Sequence, residues 1–399
     1  MASHADIGAG RDLHRASALD YINSLSTLMR VPVVDKNHQP LMPAKPSRVR
    51  RWLKAGKAVK QWSDVGVFYV QLTGEPSGTE TQSVVVGIDP GKKYSGIGVQ
   101  SAKATLLMAH LVLPFETVRK RMATRAMMRR TRRSRRINRN VLFQFRNHRQ
   151  KRFDNRKSKK VAPSIRANRQ LELRVLKELQ AIFPVSKVVY ELVKAKGDNR
   201  FSPVMVGQNW MLEQIVNRCE LVTKFGYDTA NLRRALGLFK SQKKSDQTPE
   251  THAVDGVALA SSEFIRYESV HSLKSDGALW KGAVAITPAA FSVIRRPPIS
   301  RRQLHLLQFR EGGIRRAYGG TTTRHGFRKG DLVLAEKAGR SFVGWVSGDT
   351  AKQVSVSDSN WKRLAQFTAS KVQLMKRSTG LLASGASRVT QPALYPSAR

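Results

Sequence analysis

The chain has 399 residues, with 71 Lys or Arg against 28 Asp or Glu, and its formal charge at pH 7 is +43. A fold this basic repels itself unless a polyanion neutralises it, so the composition indicates a nucleic-acid partner. No apolar run approaches the ~20 residues of a membrane span. The single cysteine, Cys219, excludes an intrachain disulfide and a cysteine-based zinc cluster. We therefore expect an intracellular nucleic-acid-binding protein with no membrane partner.

Residues 1–28 carry no pattern of a folded element or of a secretion signal. Charged residues such as Asp6, Arg11 and Asp12 interrupt the apolar core that a signal peptide needs. We expect a disordered N-terminal extension here. The pattern leaves open whether the extension comes from an upstream start codon.

A small basic module is predicted at residues 29–80. The stretch RVPVVD predicts a strand, prolines at 40, 43 and 46 exclude a helix before that point, and SRVRRWLKAGKA predicts a helix. This helix carries two candidate nucleic-acid contacts, Arg48 and Arg51. The alternative is a solvated basic helix without a ligand.

The stretch VVVGIDPGKKYSGIGVQS predicts the centre of a sheet. A β-branched run ends at Asp89, and two further strand patterns follow it after short turns. An antiparallel meander with a carboxylate near the end of its first strand is how ribonuclease-H-type folds begin. The competing interpretation takes Asp-Pro-Gly as an ordinary turn.

Residues 119–139 predict a long basic helix. The segment contains eleven Lys or Arg residues and no acidic residue, Pro or Gly, and as a helix it would be ~30 Å long. Arginines recur at spacings of three and four, so they can contact phosphates along one face. The alternative is a disordered basic segment. The candidate nucleic-acid contacts are Arg121, Arg125, Arg129, Arg130, Arg132, Arg133, Arg135, Arg136 and Arg139.

Two further carboxylates can join Asp89. The pattern IRANRQLELRVLKELQAIF predicts an amphipathic helix capped by Ser164, and SKVVYEL predicts a strand that ends at Glu191. A strand–helix–strand return brings Glu191 beside the first strand if the two strands pair. In HAVDGVALA, His252 and Asp255 lie on one face of a predicted helix. Taken alone, Glu191 is typical of a surface residue and His252 of a capping or core histidine.

These side chains are of the types that cut phosphodiesters. Three carboxylates on neighbouring elements can converge on divalent metal ions, and an imidazole one helical turn away can position or activate water. A protein of this charge supplies the phosphate-rich polymer for such a site to cut. The residues therefore favour a nuclease.

Together the motifs resemble the split RuvC nuclease of the IscB-like, transposon-encoded RNA-guided nucleases. The resemblance rests on GIDPG, RRTRRSRR, YEL and HAVDG in this order, on PLMP at residues 40–43, and on C-terminal motifs such as RRQLHLLQFREGGIRRAYGGT and GFRKGDLV. It implies an α/β, ribonuclease-H-like (RuvC) core split by an arginine-rich bridge helix, with a small N-terminal PLMP module and a C-terminal β-rich module. Only 64 positions separate Glu191 from Asp255, without a paired-His, Asn-His or Cys-x-x-Cys pattern. The chain therefore most resembles the HNH-lacking IsrB branch.

The resemblance implies a guided nickase that cuts the displaced non-target DNA strand. By this resemblance Asp89, Glu191 and Asp255 would hold two Mg²⁺ ions, for which Mn²⁺ can substitute, and His252 would act on the attacking water. The implied partners are a guide RNA encoded near the transposon and double-stranded DNA with an adjacent motif. The implied form is a monomeric ribonucleoprotein in the prokaryotic cytoplasm or nucleoid. The alternatives are an RNA-binding transposon accessory protein or an RNA-guided DNA binder, both without nuclease turnover, and a guide-free junction resolvase.

The resemblance also divides the rest of the chain. The RuvC segments are expected at 81–115, 161–200 and 201–270, and the bridge helix with its basic linker at 116–160. Short strands and turns at 271–382 predict a β module that contacts RNA and reads the target-adjacent motif. Residues 383–399, rich in Ala, Ser and Pro, are expected to fray. The candidate contacts in the β module are Arg315, Arg316 and Arg328.

Overall fold

The computed structural model describes eight stretches of the chain, namely residues 29–135, 140–145, 161–194, 202–272, 275–299, 307–308, 314–315 and 321–390. Several sequence predictions lie outside them: the N-terminal extension at 1–28, three arginines (Arg136, Arg139 and Arg316) and the last residues of the predicted tail. For Arg132, Arg133, Arg135 and Arg315 the backbone is described and the side chain is not.

The N-terminal module is a four-stranded sheet with one helix. Its strand order is β2-β1-β4-β3, with β1 antiparallel to β2 and parallel to β4. The prolines of β2 are tolerated because this strand lies at the sheet edge. The helix begins at Pro46, as predicted, because proline at the first helical position loses no hydrogen bond. The elements are β1 (Val31–Val34), β2 (Pro40–Ala44), α1 (Pro46–Lys54), β3 (Ala58–Trp62) and β4 (Phe68–Leu72).

The middle of the chain alternates between strands and helices. The predicted meander, the long basic helix and the strand with Glu191 are all present. In chain order the elements are β5 (Val84–Asp89), β6 (Tyr94–Ser101), β7 (Ala104–Val112), α2 (Phe115–Arg135), a 3₁₀ turn (Phe143–Phe145), α3 (Pro163–Gln180), β8 (Val185–Leu192), α4 (Pro203–Val216), β9 (Glu220–Phe225), α5 (Gly226–Ala235), a π-helical turn (Pro249–Ala253) and α6 (Val254–Ser261).

The C-terminal part of the chain is described as strands and turns. In order they are β10 (Ile265–Ser272), β11 (Ser275–Gly282), β12 (Ala289–Arg295), β13 (Leu307–Gln308), β14 (Ile314–Arg315), β15 (Leu332–Lys337), β16 (Arg340–Asp349), β17 (Gln353–Ser357), β18 (Arg363–Thr368), a 3₁₀ turn (Ala369–Lys371), β19 (Val372–Lys376) and β20 (Leu382–Thr390).

The largest sheet has seven strands in the order β20-β12-β7-β6-β5-β8-β9. Strands β5, β6 and β7 form an antiparallel meander, and β8 runs parallel to β5 and to β9. This is the ribonuclease-H-like arrangement, in which the meander supplies one half of the sheet and crossover strands the other. The predicted fold class is confirmed at this level: the protein is mixed α/β, with a ribonuclease-H-like strand order in its largest sheet and an additional β-rich sheet.

Strands β12 and β20 correct two predictions from sequence. β12 pairs in parallel with β7, and β20 pairs antiparallel with β12, so both belong to the central sheet. Residues 289–295 were expected in a separate C-terminal module, and 383–390 were expected to fray. Both predictions are wrong, because the buried strand β7 needs a backbone partner that β12 provides, and β12 in turn leaves an open edge with which β20 pairs. The composition of residues 383–390 carried no signal for that pairing.

Helix α3 covers one face of the sheet and begins two residues earlier than predicted. Pro163 opens the helix after Ala162, so Ser164 lies inside the first turn and caps nothing. The helix buries Leu171, Leu176 and other apolar side chains against the sheet. Its buried face also carries charge. Arg169 and Glu172 form an ion pair at 3.0 Å, with side chains only 1% and 0% exposed.

We expect Glu172→Ala to lower the free energy of unfolding by about 3–5 kcal/mol, because it leaves the Arg169 guanidinium buried without its counter-ion. Chemical denaturation of the purified protein measures this loss. The matched control is Glu178→Ala on the same helix. Glu178 pairs with the partly exposed Arg174, and such pairs contribute about 1 kcal/mol or less. Equal losses for the two variants would contradict the prediction.

The additional β-rich sheet, near the C-terminus, has five strands in the order β18-β17-β16-β15-β19. A buried carboxylate, Asp331, stabilises one end of it by accepting hydrogen bonds from Arg377 Nη1 at 2.8 Å and from the backbone N–H groups of Arg328 and Ser378 at 2.9 and 2.8 Å. The Arg328 backbone is thereby held in place while the residue is exposed. Within the described residues, none of the helices has the length and apolar character needed to cross a membrane.

Candidate active site

Asp89 and Glu191 lie side by side at the ends of two paired strands. The parallel register of β5 and β8 pairs Gly87 with Val189 and Ile88 with Tyr190, so the next residues along are the two carboxylates. Strand side chains alternate between faces, which places Asp89 and Glu191 on the same face as Gly87 and Val189. The prediction that Glu191 returns beside the first strand is confirmed at the level of strand pairing.

Helix α6 packs on this face at unusually close range because glycines line the contact. A Cβ built on Gly87 would lie 2.0 Å from the Gly256 carbonyl oxygen, and one on Gly98 would lie 2.3 Å from the Val257 amide nitrogen. A Cβ on Gly96 would lie 1.7 Å from the His252 carbonyl oxygen. Only residues without side chains allow the helix backbone to touch the strands. This contact brings the start of α6 to the carboxylate ends of β5 and β8.

The π-helical turn before α6 delivers His252 to Asp89. Nδ1 of His252 lies 3.0 Å from Oδ2 of Asp89, and both residues are largely buried. Burial acts to raise the pKa of Asp89, but the hydrogen bond and charge of His252 and the charges of Lys240 and Lys244 outweigh it and lower the pKa. The structure therefore keeps Asp89 ionised and fixed in orientation.

Glu191 is held by the first turn of α5. The Thr229 hydroxyl donates to Oε2 of Glu191, and Gly226 lies against Oε1. Burial and then the charge of Asp89 raise the pKa of Glu191 to about 7, with Asp255 adding to the effect and Thr229 and Lys240 opposing it. Two buried carboxylates this close resist ionising together. Glu191 is therefore poised to release a proton when a cation enters.

Asp255 is neutralised by two basic side chains. Arg233 Nη1 donates to Oδ1 at 2.6 Å, and the Lys240 ammonium donates to Oδ2. Burial and the charge of Asp89 raise the pKa of Asp255, although Lys240 and Arg233 counteract them. Lys240 also interacts with Asp89 and Glu191. One ammonium group thus faces all three carboxylates.

A metal ion would compete with Lys240 for these oxygens. In the described residues no group of three or more His, Cys, Asp or Glu side chains has its atoms arranged to hold a metal ion. The reason is local: each carboxylate is engaged by protein, Asp89 by His252, Glu191 by Thr229 and Asp255 by the two cations. The donor set itself, three carboxylates around a cation, is the hard oxygen chemistry that Mg²⁺ requires. The residues fit the metal if Asp255 exchanges its partners.

A cluster of rings lies behind His252. The rings of Tyr94 and His110 lie 5.9 and 5.7 Å from it between centroids, and Nδ1 of His110 lies 3.0 Å from the Thr251 hydroxyl. Burial, with the charges of His252 and Arg295, lowers the pKa of His110 to about 3. His110 is therefore neutral at pH 7. Nε2 of His252 is buried without a hydrogen-bond partner in the described part of the chain.

The sequence patterns missed several residues of this site. Thr229, Arg233 and Lys240 follow β9 and contact the carboxylates from there. Arg233 and Lys240 are two of 71 basic residues in this chain, so composition gives no sign that they contact a carboxylate. His110 lies within the largely apolar run ATLLMAHLV of β7. A buried polar residue in such a strand is the one signal that could have singled it out.

The candidate nucleic-acid contacts lie on separate elements. Arg125, Arg129 and Arg130 are exposed on α2, which packs on α3, whereas Arg121 is half-buried. On α1, Arg51 is exposed, and the Arg48 guanidinium lies 5.9 Å from the ring centroid of Trp52. These residues are available to phosphates. The structure does not bring them into the carboxylate site.

Comparisons with known proteins found one family and a solved structure similar to parts of this chain. Residues 31–202, which include β1 to β8, match the family described as RRXRR protein. Among solved structures, T. thermophilus RuvC in complex with Holliday junction substrate is similar over 45% of this chain and 90% of that chain, at 14% identity and a TM-score of 0.25. No curated protein matches the chain. Residues 31–202 are therefore similar to the RRXRR protein family.

Proposed function

We propose that the chain is a Mg²⁺-dependent, RNA-guided DNA endonuclease that nicks the displaced strand of its target. The observation that carries the proposal is the convergence of Asp89, Glu191 and Asp255 around one positive charge at the end of a ribonuclease-H-like sheet. Perturbed carboxyl pKa values in one cluster are typical of active sites. A charge of +43 supports a nucleic-acid substrate.

The three carboxylates would hold the metal, and His252 would position Asp89. Bound divalent cations supply Lewis-acid stabilisation of the phosphate and a nucleophilic water near neutral pH. His252 was predicted from sequence to orient or deprotonate the attacking water. Its Nδ1 is already engaged by Asp89, and its Nε2 is buried. We therefore assign His252 the role of keeping Asp89 charged and aligned.

Arg233 and Lys240 would change partners during binding. If Asp255 served as a metal ligand, these two side chains would be released beside the substrate phosphate. Both are partly exposed, 17% and 26%, so they can turn outward. Cations beside a transferring phosphoryl group stabilise the negative charge that develops there. The same contacts that occupy Asp255 in the free protein would serve the substrate later.

Guidance by RNA rests on the basic elements around the core. Helix α2 presents exposed arginines between two segments of the sheet domain, where a structured RNA or a heteroduplex can bind through its backbone. The proposal that only one strand is cut rests on the segment of chain between Glu191 and Asp255. Its described part forms only α4, β9, α5 and the turns that join them to α6. A second nuclease domain has no place in that part.

A second candidate is a nucleic-acid-binding protein without turnover. The observation that favours it is the pair of basic side chains on Asp255, which occupy both of its carboxylate oxygens. If Arg233 and Lys240 never leave, no metal enters. The protein would then stabilise a transposon RNA, or bind a guided target, and leave the DNA intact.

The deciding experiment is a plasmid assay. The chain is co-expressed with RNA transcribed from its flanking locus, and the purified complex is incubated with Mg²⁺ and a supercoiled target beside a randomised flank. We expect nicked circles that require the matching guide and Mg²⁺ and that disappear with Asp89→Ala. Asp64→Ala is the control, because Asp64 pairs with Arg174 and Lys376 outside the carboxylate cluster.

Each other result selects a different function. If RNA co-purifies with the chain but the plasmid stays supercoiled, the result would favour a binding protein without turnover. Linear product would contradict the single-nuclease proposal. Cleavage of a four-way junction without RNA would favour a guide-free resolvase over a guided enzyme.

A further inference from the structure

An aromatic pair, half-buried Phe225 and exposed Tyr227, lies next to the residues that hold Glu191. The rings of Phe225 and Tyr227 are stacked, with centroids 5.7 Å apart and an interplanar angle of 20°. Tyr227 is 65% exposed. Scattered surface aromatics need no explanation, but a stacked pair of rings beside a candidate active site provides a flat apolar surface where a substrate passes.

The pair is fixed to the residues that hold Glu191. Gly226, between the two rings in sequence, lies beside Glu191, since an added Cβ would be in ordinary contact with Oε1 at 3.4 Å. Thr229, in the same helical turn, donates to the same carboxylate. The Phe225 backbone N–H donates to Oδ2 of Asp228 at 2.9 Å, which anchors the start of α5. The aromatic pair therefore has little freedom to move relative to Glu191.

A cation completes this arrangement. The Lys194 ammonium lies 4.6 Å from the ring centroid of Phe225, within the range of a cation–π contact. Phe225 thus has one ring partner and one cationic partner. Tyr227 has its ring partner in Phe225 and is otherwise largely open to solvent. An aromatic face next to a positive charge matches a nucleotide, which combines a π-face with a phosphate.

We infer that Tyr227 is a stacking platform for an unpaired nucleobase of the strand held at the carboxylates, with Lys194 near its phosphate. This inference rests on the proposed function, because it takes a single strand as the substrate. Every base has a π-face, so the contact would be tolerant of sequence. That suits an enzyme whose sequence reading is left to base pairing. Tyr227 would position the strand and take no part in bond cleavage.

The test is photo-crosslinking of a single-stranded oligonucleotide that carries 5-iodouracil, bound to the full chain in EDTA so that no cleavage is needed. We expect a crosslink that maps by mass spectrometry to Tyr227. It should persist in Tyr227→Phe and disappear in Tyr227→Ala. At a salt concentration that suppresses non-specific contacts, Tyr227→Ala should weaken binding by about five- to a hundredfold, since stacking contributes ~1–3 kcal/mol per base.

The matched control is Tyr267→Ala. Tyr267 is 58% exposed and has an aromatic partner, Trp280, at 5.2 Å, but it lies on β10, beyond the far end of α6 from Asp255. A Tyr227→Ala variant that crosslinks and binds like the unaltered chain would overturn the inference. If the crosslink maps to Tyr227 and no condition gives nicking, the platform stands and the proposed nuclease fails. If nicking proceeds and the crosslink maps elsewhere, only the platform fails.

Discussion

Gly98→Ala is expected to lower the rate of DNA nicking about a hundredfold or more and to destabilise the fold by about 1–3 kcal/mol. The new Cβ would lie 2.3 Å from the Val257 amide nitrogen, where ordinary contact begins at 3.4 Å. Helix α6 must therefore move by about 1 Å, and overpacking of this kind costs about 1–3 kcal/mol. A displacement of about 1 Å in catalytic groups can cost 10²-fold in rate.

The movement matters because α6 carries Asp255 and follows the turn with His252. Nicking of a supercoiled target measures the rate, and chemical denaturation measures the stability. Gly74→Ala is the matched control, because a Cβ at Gly74 meets nothing within 4 Å. Normal nicking by Gly98→Ala would show that the close contact of helix and strands does not align the site.

Glu191→Gln is expected to abolish nicking and at the same time to stabilise the metal-free protein above pH 7. The pKa of Glu191 is raised from 4.5 to about 7. Each pKa unit corresponds to about 1.4 kcal/mol, so ionising this carboxyl in the folded state at pH 8 costs roughly 3 kcal/mol. Glutamine removes the charge and still accepts the hydrogen bond from Thr229.

The sign of this pH dependence of stability follows from proton binding. Between pH 4.5 and 7 the folded protein holds a proton on Glu191 that the unfolded chain has lost, so this residue makes stability fall as pH rises through that window. Glu191→Gln removes that dependence. The stabilities of the two proteins should therefore converge near pH 5 and differ most at pH 8.

Thermal unfolding in EDTA at both pH values measures the effect. Glu213→Gln, on the exposed side of α4, is the control and should leave the curve unchanged. Mg²⁺ should stabilise the unaltered protein at pH 8 and have little effect on Glu191→Gln, because a ligand that binds only the folded state shifts unfolding. A Glu191→Gln variant no more stable than the unaltered protein at pH 8 would show that Glu191 is not held in a strained, charged state.

Much of the central sheet was predictable from local patterns. The run VVVGID is buried along its whole length, and period-two alternation places Asp89 and Gly87 on one face. The basic helix is present, and no Pro or Gly interrupts its described part, but it begins at Phe115, four residues before the predicted start at Arg119. Glu191 and Asp255 were identified by their motifs and by an order along the chain that resembles a known family.

Other features were invisible because they depend on contacts between residues far apart in the sequence. Residues 382–390 form a strand only because β12 offers an edge to pair with. Arg169 and Glu172 lie on the buried face of α3, where an amphipathic pattern would place apolar residues. The ring cluster of Tyr94, His110 and His252 comes from three separate elements.

By itself, the sequence determined the charge, the strand that ends in Asp89, the basic helix and the residue types of the candidate site. Each of these follows from side-chain chemistry or short-range periodicity. The tertiary structure alone decided that Lys240 and Arg233 neutralise Asp255, that Glu191 has a pKa near 7, and that Tyr227 stands exposed beside it. Electrostatic coupling and burial depend on distances between groups, and those distances exist only once the chain has folded.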